Sequence, residues 1–167
     1  EPMQAEALAE ITAAAAEVLS AEGAALIGGH SSVGSELTLG FTVTGTLDRA
    51  PVTLAGGQPG DALILTRPIG SGVLLAGAMR GRGRGAMQGQ VRGPDLAALL
   101  DLLATPYGAA AADLRDAHAM TDVTGFGLAR HASNLATRAG FSGLAIAIPS
   151  LPIIAGVEEL LSNGIRS

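Results

Sequence analysis

The sequence of 167 residues contains no cysteine, and its ten basic residues are all arginine because lysine is also absent. Without cysteine the chain has no disulfide, no thiolate nucleophile and no thiolate metal site of its own. Without lysine it forms no Schiff base and has no Walker-type lysine for binding phosphate. These two absences exclude several classes of enzyme mechanism from the residues of this chain.

Charge and hydropathy restrict the partners of the chain. Ten basic and fifteen acidic residues give a formal net charge of −5, so no broad basic face is available for a nucleic-acid backbone. The apolar runs are too short and too interrupted by glycine to cross a bilayer, and the first residues do not resemble a secretory signal. We therefore predict no nucleic-acid partner, no membrane partner and a cytoplasmic location.

Apolar periodicity predicts a series of helices. Aromatic residues are only 2% of a chain that is 48% apolar, so the core is expected to consist of Leu, Ile, Val and Ala. Helical spacing of apolar residues over 3–22 ends at Gly23, which is typical of a C-cap glycine. Further helices are predicted at 72–79, 95–104 and 108–116, after Gly127 as far as about Arg138, and at 157–161.

Other segments are predicted to be extended. Apolar and polar residues alternate over 37–44, which indicates a strand with one buried face. Short apolar runs predict a buried strand at 62–66, an extended segment at 119–123 and a strand at 144–148. Proline, glycine and aspartate accumulate over 47–60, which is typical of a linker. We therefore predict two domains, 1–50 and 51–167.

The segment Thr-Asp-Val-Thr-Gly-Phe-Gly at residues 121–127 is the first candidate site. It places the Asp122 carboxylate at the end of an apolar segment, just before glycines that open a helix. Helix N-terminal N–H groups bind phosphate, and a carboxylate can hold the Mg²⁺ that accompanies it. A second interpretation is that Asp122 or Thr124 caps the helix. The sequence leaves both open.

Two glycine-containing loops are further candidates. Gly28, Gly29, His30 and Ser31 follow a short apolar segment, and they could contact a phosphate or ribose or could form an ordinary turn with an exposed histidine. Residues 80–85 alternate arginine and glycine, which could bind an anion or remain a solvated loop. His131 could support the Asp122 segment or pack in the core. The spacing of the three histidines does not indicate a zinc site.

These motifs together resemble one family. Residues 119–128 with His131, residues 28–31 and 41–45, and the run Gly-Asp-Ala-Leu-Ile-Leu-Thr-Arg-Pro-Ile-Gly-Ser-Gly-Val at 60–73 resemble selenophosphate synthetase (selenide, water dikinase) in order and spacing. That family belongs to the superfamily of aminoimidazole ribonucleotide synthetase. Residues 29–40 resemble the form that is fused to an NADH dehydrogenase-like domain.

The resemblance implies an α+β fold with two domains. Residues 1–50 would be the last part of an N-terminal domain that dimerises and binds ATP, and residues 51–167 would be most of a C-terminal α/β domain, incomplete at its end. A homodimer is implied. The family's reactive cysteine or selenocysteine and its lysine lie in an N-terminal segment without a counterpart here, so no catalytic residue is expected in this chain and the chain alone should be inactive.

The resemblance also implies a reaction and a set of site residues. ATP, selenide and water would give selenophosphate, AMP and phosphate. Asp122 would bind Mg²⁺, with Thr121, Thr124 and Gly125 supporting it, and residues 28–31 would bind ATP across the dimer interface. Arg67 stands where the family often has lysine, and residues 104–107 replace a stretch that contains asparagine. The alternative is a non-catalytic dimerisation or nucleotide-sensing module of the same fold.

Overall fold

The computed structural model describes residues 2–80 and 91–167. Within them the chain forms two compact units, Glu1–Ala50 and Pro51–Ser167. The assignment of the first unit to an N-terminal synthetase domain stays a prediction. Of the loop predicted at 80–85, Arg80 ends a helix and the other residues lie outside the described part of the chain.

The first unit begins with helix α1, Pro2–Ala21, which confirms the helix predicted over 3–22. Its C-terminal end is closed by two backbone hydrogen bonds, from Ala24 N–H to Leu19 O at 2.8 Å and from Gly23 N–H to Ser20 O at 3.1 Å. Gly23 has a φ of +72°, a left-handed conformation that glycine adopts without a steric penalty. The predicted C-cap glycine therefore ends the helix.

The strand predicted over 37–44 is not observed. These residues have no regular secondary structure, and the whole stretch from 22 to 50 is exposed. Leu37, Leu39, Phe41 and Val43 are all more than half exposed. Alternation indicates which side chains would share a face, but a strand also needs a backbone partner. Among the described residues no segment pairs with this one, so the pattern alone does not produce a strand.

Among its described residues, the second unit has five helices close to where the sequence predicts them. They are α2 (Ser71–Arg80), α3 (Gly93–Ala104), α4 (Gly108–Asp113), α5 (Gly127–Arg138) and α6 (Val157–Ser162). Helix α4 is shorter than the predicted 108–116. A 3-10 turn, Ile148–Ser150, lies before α6.

The core of the second unit lies where α2 packs against α3 and α6. Leu74 of α2 and Leu99 of α3 are completely buried, and burial of one such side chain contributes about 1.5–3 kcal/mol. Gly77 lets the helices approach closely, because a Cβ there would lie 3.1 Å from Leu160 Cδ1. The other buried residues of this cluster are Val73, Ile154, Val157, Leu160 and Ile165.

The strands predicted at 62–66 and 144–148 are not observed, nor is a strand at 119–123. Leu63 and Ile64 are exposed, so the first of these segments is also not buried. One isolated parallel bridge joins Ile69 and Ile153, and a backbone bond joins Met120 N–H to Thr53 O at 3.0 Å. A short apolar run predicts neither a pairing partner nor a neighbouring layer. The described residues thus contain helices and a bridge, and the α+β class is not confirmed.

The helices also bear on the membrane prediction. Within residues 2–80 and 91–167, no helix has both the length and the hydropathy that a bilayer crossing requires.

Candidate functional site

The loop that leads into α5 is closed by its own backbone. Gly127 N–H donates to Thr124 O at 2.9 Å, and Gly127 has a φ of +80°, which favours glycine at this turn. The N-cap of α5 is Phe126, and no side chain caps the helix there. The interpretation of Asp122 or Thr124 as a helix cap is therefore wrong, and the Asp122 carboxylate needs another explanation.

The predicted site residues of this loop differ in exposure. The Asp122 side chain is 74% exposed, Thr121 is half-buried, and Thr124 and Gly125 are exposed. A Cβ added at Gly125 would meet open space. The loop therefore presents a solvent-accessible carboxylate shortly before the start of a twelve-residue helix.

His131 lies behind this loop, in the second turn of α5, and is buried. Its Nε2 accepts the Thr124 N–H at 3.2 Å and lies 3.2 Å from Thr124 Oγ1. Its Nδ1 lies 4.0 Å from Asp122 Oδ1. The Phe126 ring is tilted by 52° against the imidazole, with centroids 6.4 Å apart. The sequence could not decide whether His131 supports the loop or packs in the core, and the structure places it against the loop.

The donor set at Asp122 fits one kind of metal complex. In the part of the chain that the structure describes, no group of three or more His, Asp or Glu side chains could hold a metal ion. Mg²⁺ bound with a nucleotide is commonly held through one or two carboxylates, substrate phosphates and water. An exposed single carboxylate fits this arrangement, whereas it does not fit a cage made of protein ligands alone.

The second predicted site, residues 28–31, lies in the first unit. Gly28, Gly29, His30 and Ser31 are exposed and have no regular secondary structure. Neither glycine has a positive φ, and a Cβ at either position would meet open space. Glycine is therefore not required here by the conformation or packing of the first unit.

His118 has a partner in a turn of the second unit. Its Nδ1 lies 2.9 Å from Asp61 Oδ1, and Asp61 Oδ2 accepts the Gln58 N–H at 2.7 Å. The Gln58 bond first, and the His118 bond second, lower the pKa of Asp61 below its ordinary value. A Cβ at Gly56 would overlap the His118 carbonyl oxygen. These contacts connect the 56–61 segment to the chain just before the Asp122 loop.

Arg67 and Tyr107, which were predicted to lie where the chain departs from the family pattern, contact each other. The Arg67 guanidinium donates to Leu102 O at 2.9 Å and to Pro106 O at 2.6 Å, and it lies 3.6 Å from the centroid of the Tyr107 ring. Arginine near a helix C-terminus satisfies carbonyl groups that lack partners within the helix. Arg67 therefore holds the end of α3, a structural role that the sequence did not indicate.

Comparisons with known proteins agree with the resemblance. The family profile described as "AIR synthase related protein, C-terminal domain" matches residues 58–161. A protein of Geobacter metallireducens named "Selenide, water dikinase" is 35% identical over 162 residues. A protein of the same name from Nitratidesulfovibrio vulgaris is 38% identical over 161 residues. "Selenide, water dikinase 2" of Peptoclostridium acidaminophilum is 35% identical over 159 residues.

These matches cover most of this chain but less than half of each relative. Each covers 95% of this chain but only 44% of the relative, so the chain spans less than half the length of the curated relatives it matches. No solved structure matches the chain significantly. The family profile covers more than half of the chain, and the chain belongs to the family of AIR synthase related proteins, in which its curated relatives are named selenide, water dikinase.

Proposed function

We propose that this chain is part of an ATP-dependent selenophosphate synthetase, which converts ATP, selenide and water to selenophosphate, AMP and phosphate. The observation that carries the proposal is the exposed Asp122 carboxylate, which does not cap α5 and lies in the motif that resembles this family. The names of the relatives that align with 95% of the chain support the same reaction.

Asp122 is proposed as a ligand of the Mg²⁺ that accompanies ATP. Mg²⁺ would neutralise charge on the phosphate oxygens when it is bound. Phosphoryl transfer depends mainly on positioning and electrostatic stabilisation, so a carboxylate that holds the metal matters more than a covalent nucleophile at this position. Thr121, Thr124 and Gly125 are proposed to support Asp122 through the conformation of the loop.

Residues 28–31 are proposed to contact ATP. The first unit gives no conformational or packing reason for Gly28 and Gly29, and the absence of side chains allows a ligand to approach the backbone closely. His30 and Ser31 add polar groups that can bond ribose or phosphate oxygens.

A homodimer and a cytoplasmic location are proposed with this function. The exposed apolar residues of 37–43 would then be covered by the remainder of a dimerising domain, because such a surface is costly to leave in water. A fused NADH dehydrogenase-like domain stays a prediction.

The test is an assay of the complete gene product that contains these 167 residues. With ATP, Mg²⁺ and selenide, AMP should form together with a selenophosphate signal in phosphorus NMR. Parallel reactions without selenide, and with sulfide in its place, identify the acceptor. ATP binding without any selenide-dependent AMP would contradict the proposal and would favour the nucleotide-sensing alternative.

A further inference from the structure

His131 and Asp122 lie close together in the proposed site but differ in burial. The imidazole is buried and in contact with Thr124 and Phe126 of the loop, whereas the Asp122 carboxylate is 74% exposed. We infer that His131 is a positioning residue that orients the Asp122 carboxylate toward the cation. This inference rests on the proposed role of Asp122 as a Mg²⁺ ligand.

The hydrogen bonds determine which ring nitrogen carries the proton. A backbone N–H can only donate, and the Thr124 N–H points to His131 Nε2 at 3.2 Å. Nε2 is therefore the acceptor of this hydrogen bond, and Nδ1 is the ring nitrogen left to donate. The Thr124 hydroxyl, also 3.2 Å from Nε2, lies on the same side of the ring.

The remaining ring proton faces the carboxylate. Nδ1 lies 4.0 Å from Asp122 Oδ1, which is longer than an N–H···O bond of up to about 3.2 Å. The exposed Asp122 side chain can close this distance by rotation about its own bonds. One oxygen would then accept the Nδ1–H and the other would be directed to the cation, as outer hydrogen bonds commonly orient metal ligands.

The ring itself is held in place independently of Asp122. Helix α5 fixes its backbone, the Thr124 N–H fixes Nε2, and Phe126 lies tilted against it. A side chain that only fills space would not need two ring nitrogens facing polar groups of one loop. The geometry therefore favours a fixed donor that limits the orientations of a mobile carboxylate.

Two variants of matched shape separate positioning from packing. Leucine and asparagine both branch at Cγ, but only asparagine keeps an N–H donor where Nδ1 lies. In the complete gene product, His131→Leu should raise the Mg²⁺ concentration for half-maximal ATP consumption by about tenfold or more, with a smaller change in kcat. His131→Asn should stay within about threefold of the parent, since the lost donor is restored. Equal effects of the two variants, or none, would overturn the inference.

A spectroscopic measurement on the unaltered protein tests the same geometry without relying on folded variants. Two-bond proton–nitrogen spectra should show His131 as the Nδ1–H tautomer, with a bare Nε2 that accepts a hydrogen bond. The Nε2–H tautomer would overturn the inference.

Asp122→Asn, assayed in parallel, distinguishes a failure of the positioning role of His131 from a failure of Asp122 as the proposed metal ligand. If Asp122→Asn lowers activity and His131→Leu leaves the Mg²⁺ requirement unchanged, the positioning role alone is wrong. If Asp122→Asn has the parental activity, the proposed metal ligand is wrong, and the positioning role that depends on it is wrong as well.

Discussion

At the residue scale, the candidate site shows what a sequence motif can and cannot predict. The motif around Asp122 was recognisable because a carboxylate, a threonine and two glycines have a fixed spacing. The choice between a cap and a ligand could not be made from the sequence, since it depends on where α5 begins. The contact of His131 with Thr124 was equally unpredictable, because it requires the loop to fold back over the helix.

Asp61 allows a prediction of pH dependence. Folding lowers its pKa from an ordinary value of 3.8, so the unfolded chain binds the proton more tightly and acid favours unfolding. The stabilisation is present above that value and is lost as the pH falls through the lower pKa of the folded state. Between about pH 5 and pH 2.5, the melting temperature of Asp61→Asn should fall less steeply than that of the parent.

The control for this series is Asp113→Asn, at the exposed C-terminal end of α4. It should keep the parental dependence of melting temperature on pH. Identical profiles for Asp61→Asn and the parent would show that the bonds from Gln58 and His118 do not stabilise the folded state.

Gly29 provides a second prediction at this scale. Gly29→Val has open space and an ordinary φ in the first unit, so the melting temperature should change little. ATP affinity should fall by about tenfold, because a branched side chain would hinder a ligand at the backbone. Gly45→Val, with the same open surroundings, should keep parental ATP affinity in calorimetry. Equal affinities for the two variants would argue against a nucleotide at Gly29.

At the element scale, helices were predicted well and strands were not. The hydrogen bonds of a helix are local, so apolar spacing and an end signal such as Gly23 are sufficient to place it. A strand depends on a partner that is distant in sequence. The alternation at 37–44 therefore predicted a strand for which the described residues supply no partner. The segment 62–66 was predicted to be buried, although all of its residues except the half-buried Leu65 are exposed.

The entry to α6 yields a prediction about stability. Gly156 has a φ of +83°, and a Cβ there would lie 2.6 Å from Asp95 Oδ2. Asp95 is buried and paired with Arg92, whose pKa it raises through a hydrogen bond and its charge. Gly156→Ala should therefore lower the free energy of unfolding by at least about 2 kcal/mol, combining backbone strain with disturbance of the buried carboxylate.

Gly164→Ala is the matched control for Gly156. Its φ is +79°, but a Cβ would meet nothing within 4 Å, so only the backbone strain of about 1 kcal/mol applies. Chemical denaturation should show a clearly larger loss for Gly156→Ala. Equal losses would mean that Asp95 moves aside without cost.

At the scale of the whole molecule, we predict that each ATP site is formed by residues of two subunits. If residues 28–31 of one subunit serve the Asp122 site of another, mixing Gly29→Val with Asp122→Asn subunits restores one intact site in each mixed dimer. Random mixing then recovers about a quarter of parental ATP consumption, since half of the dimers are mixed and each has one of two sites intact. Activity no higher than that of either variant alone would place both motifs of a site in the same subunit.

The central claim is that Asp122 is a ligand of the ATP-bound Mg²⁺ in a selenophosphate synthetase, and one substitution tests it most directly. In the complete gene product, Asp122→Asn removes the charge but keeps the size of the side chain. Selenide-dependent AMP formation should fall at least about tenfold, which corresponds to about 1.4 kcal/mol. The melting temperature should stay parental, and Asp101→Asn, at an exposed position of α3, should keep full activity. Parental AMP formation by Asp122→Asn would contradict the claim.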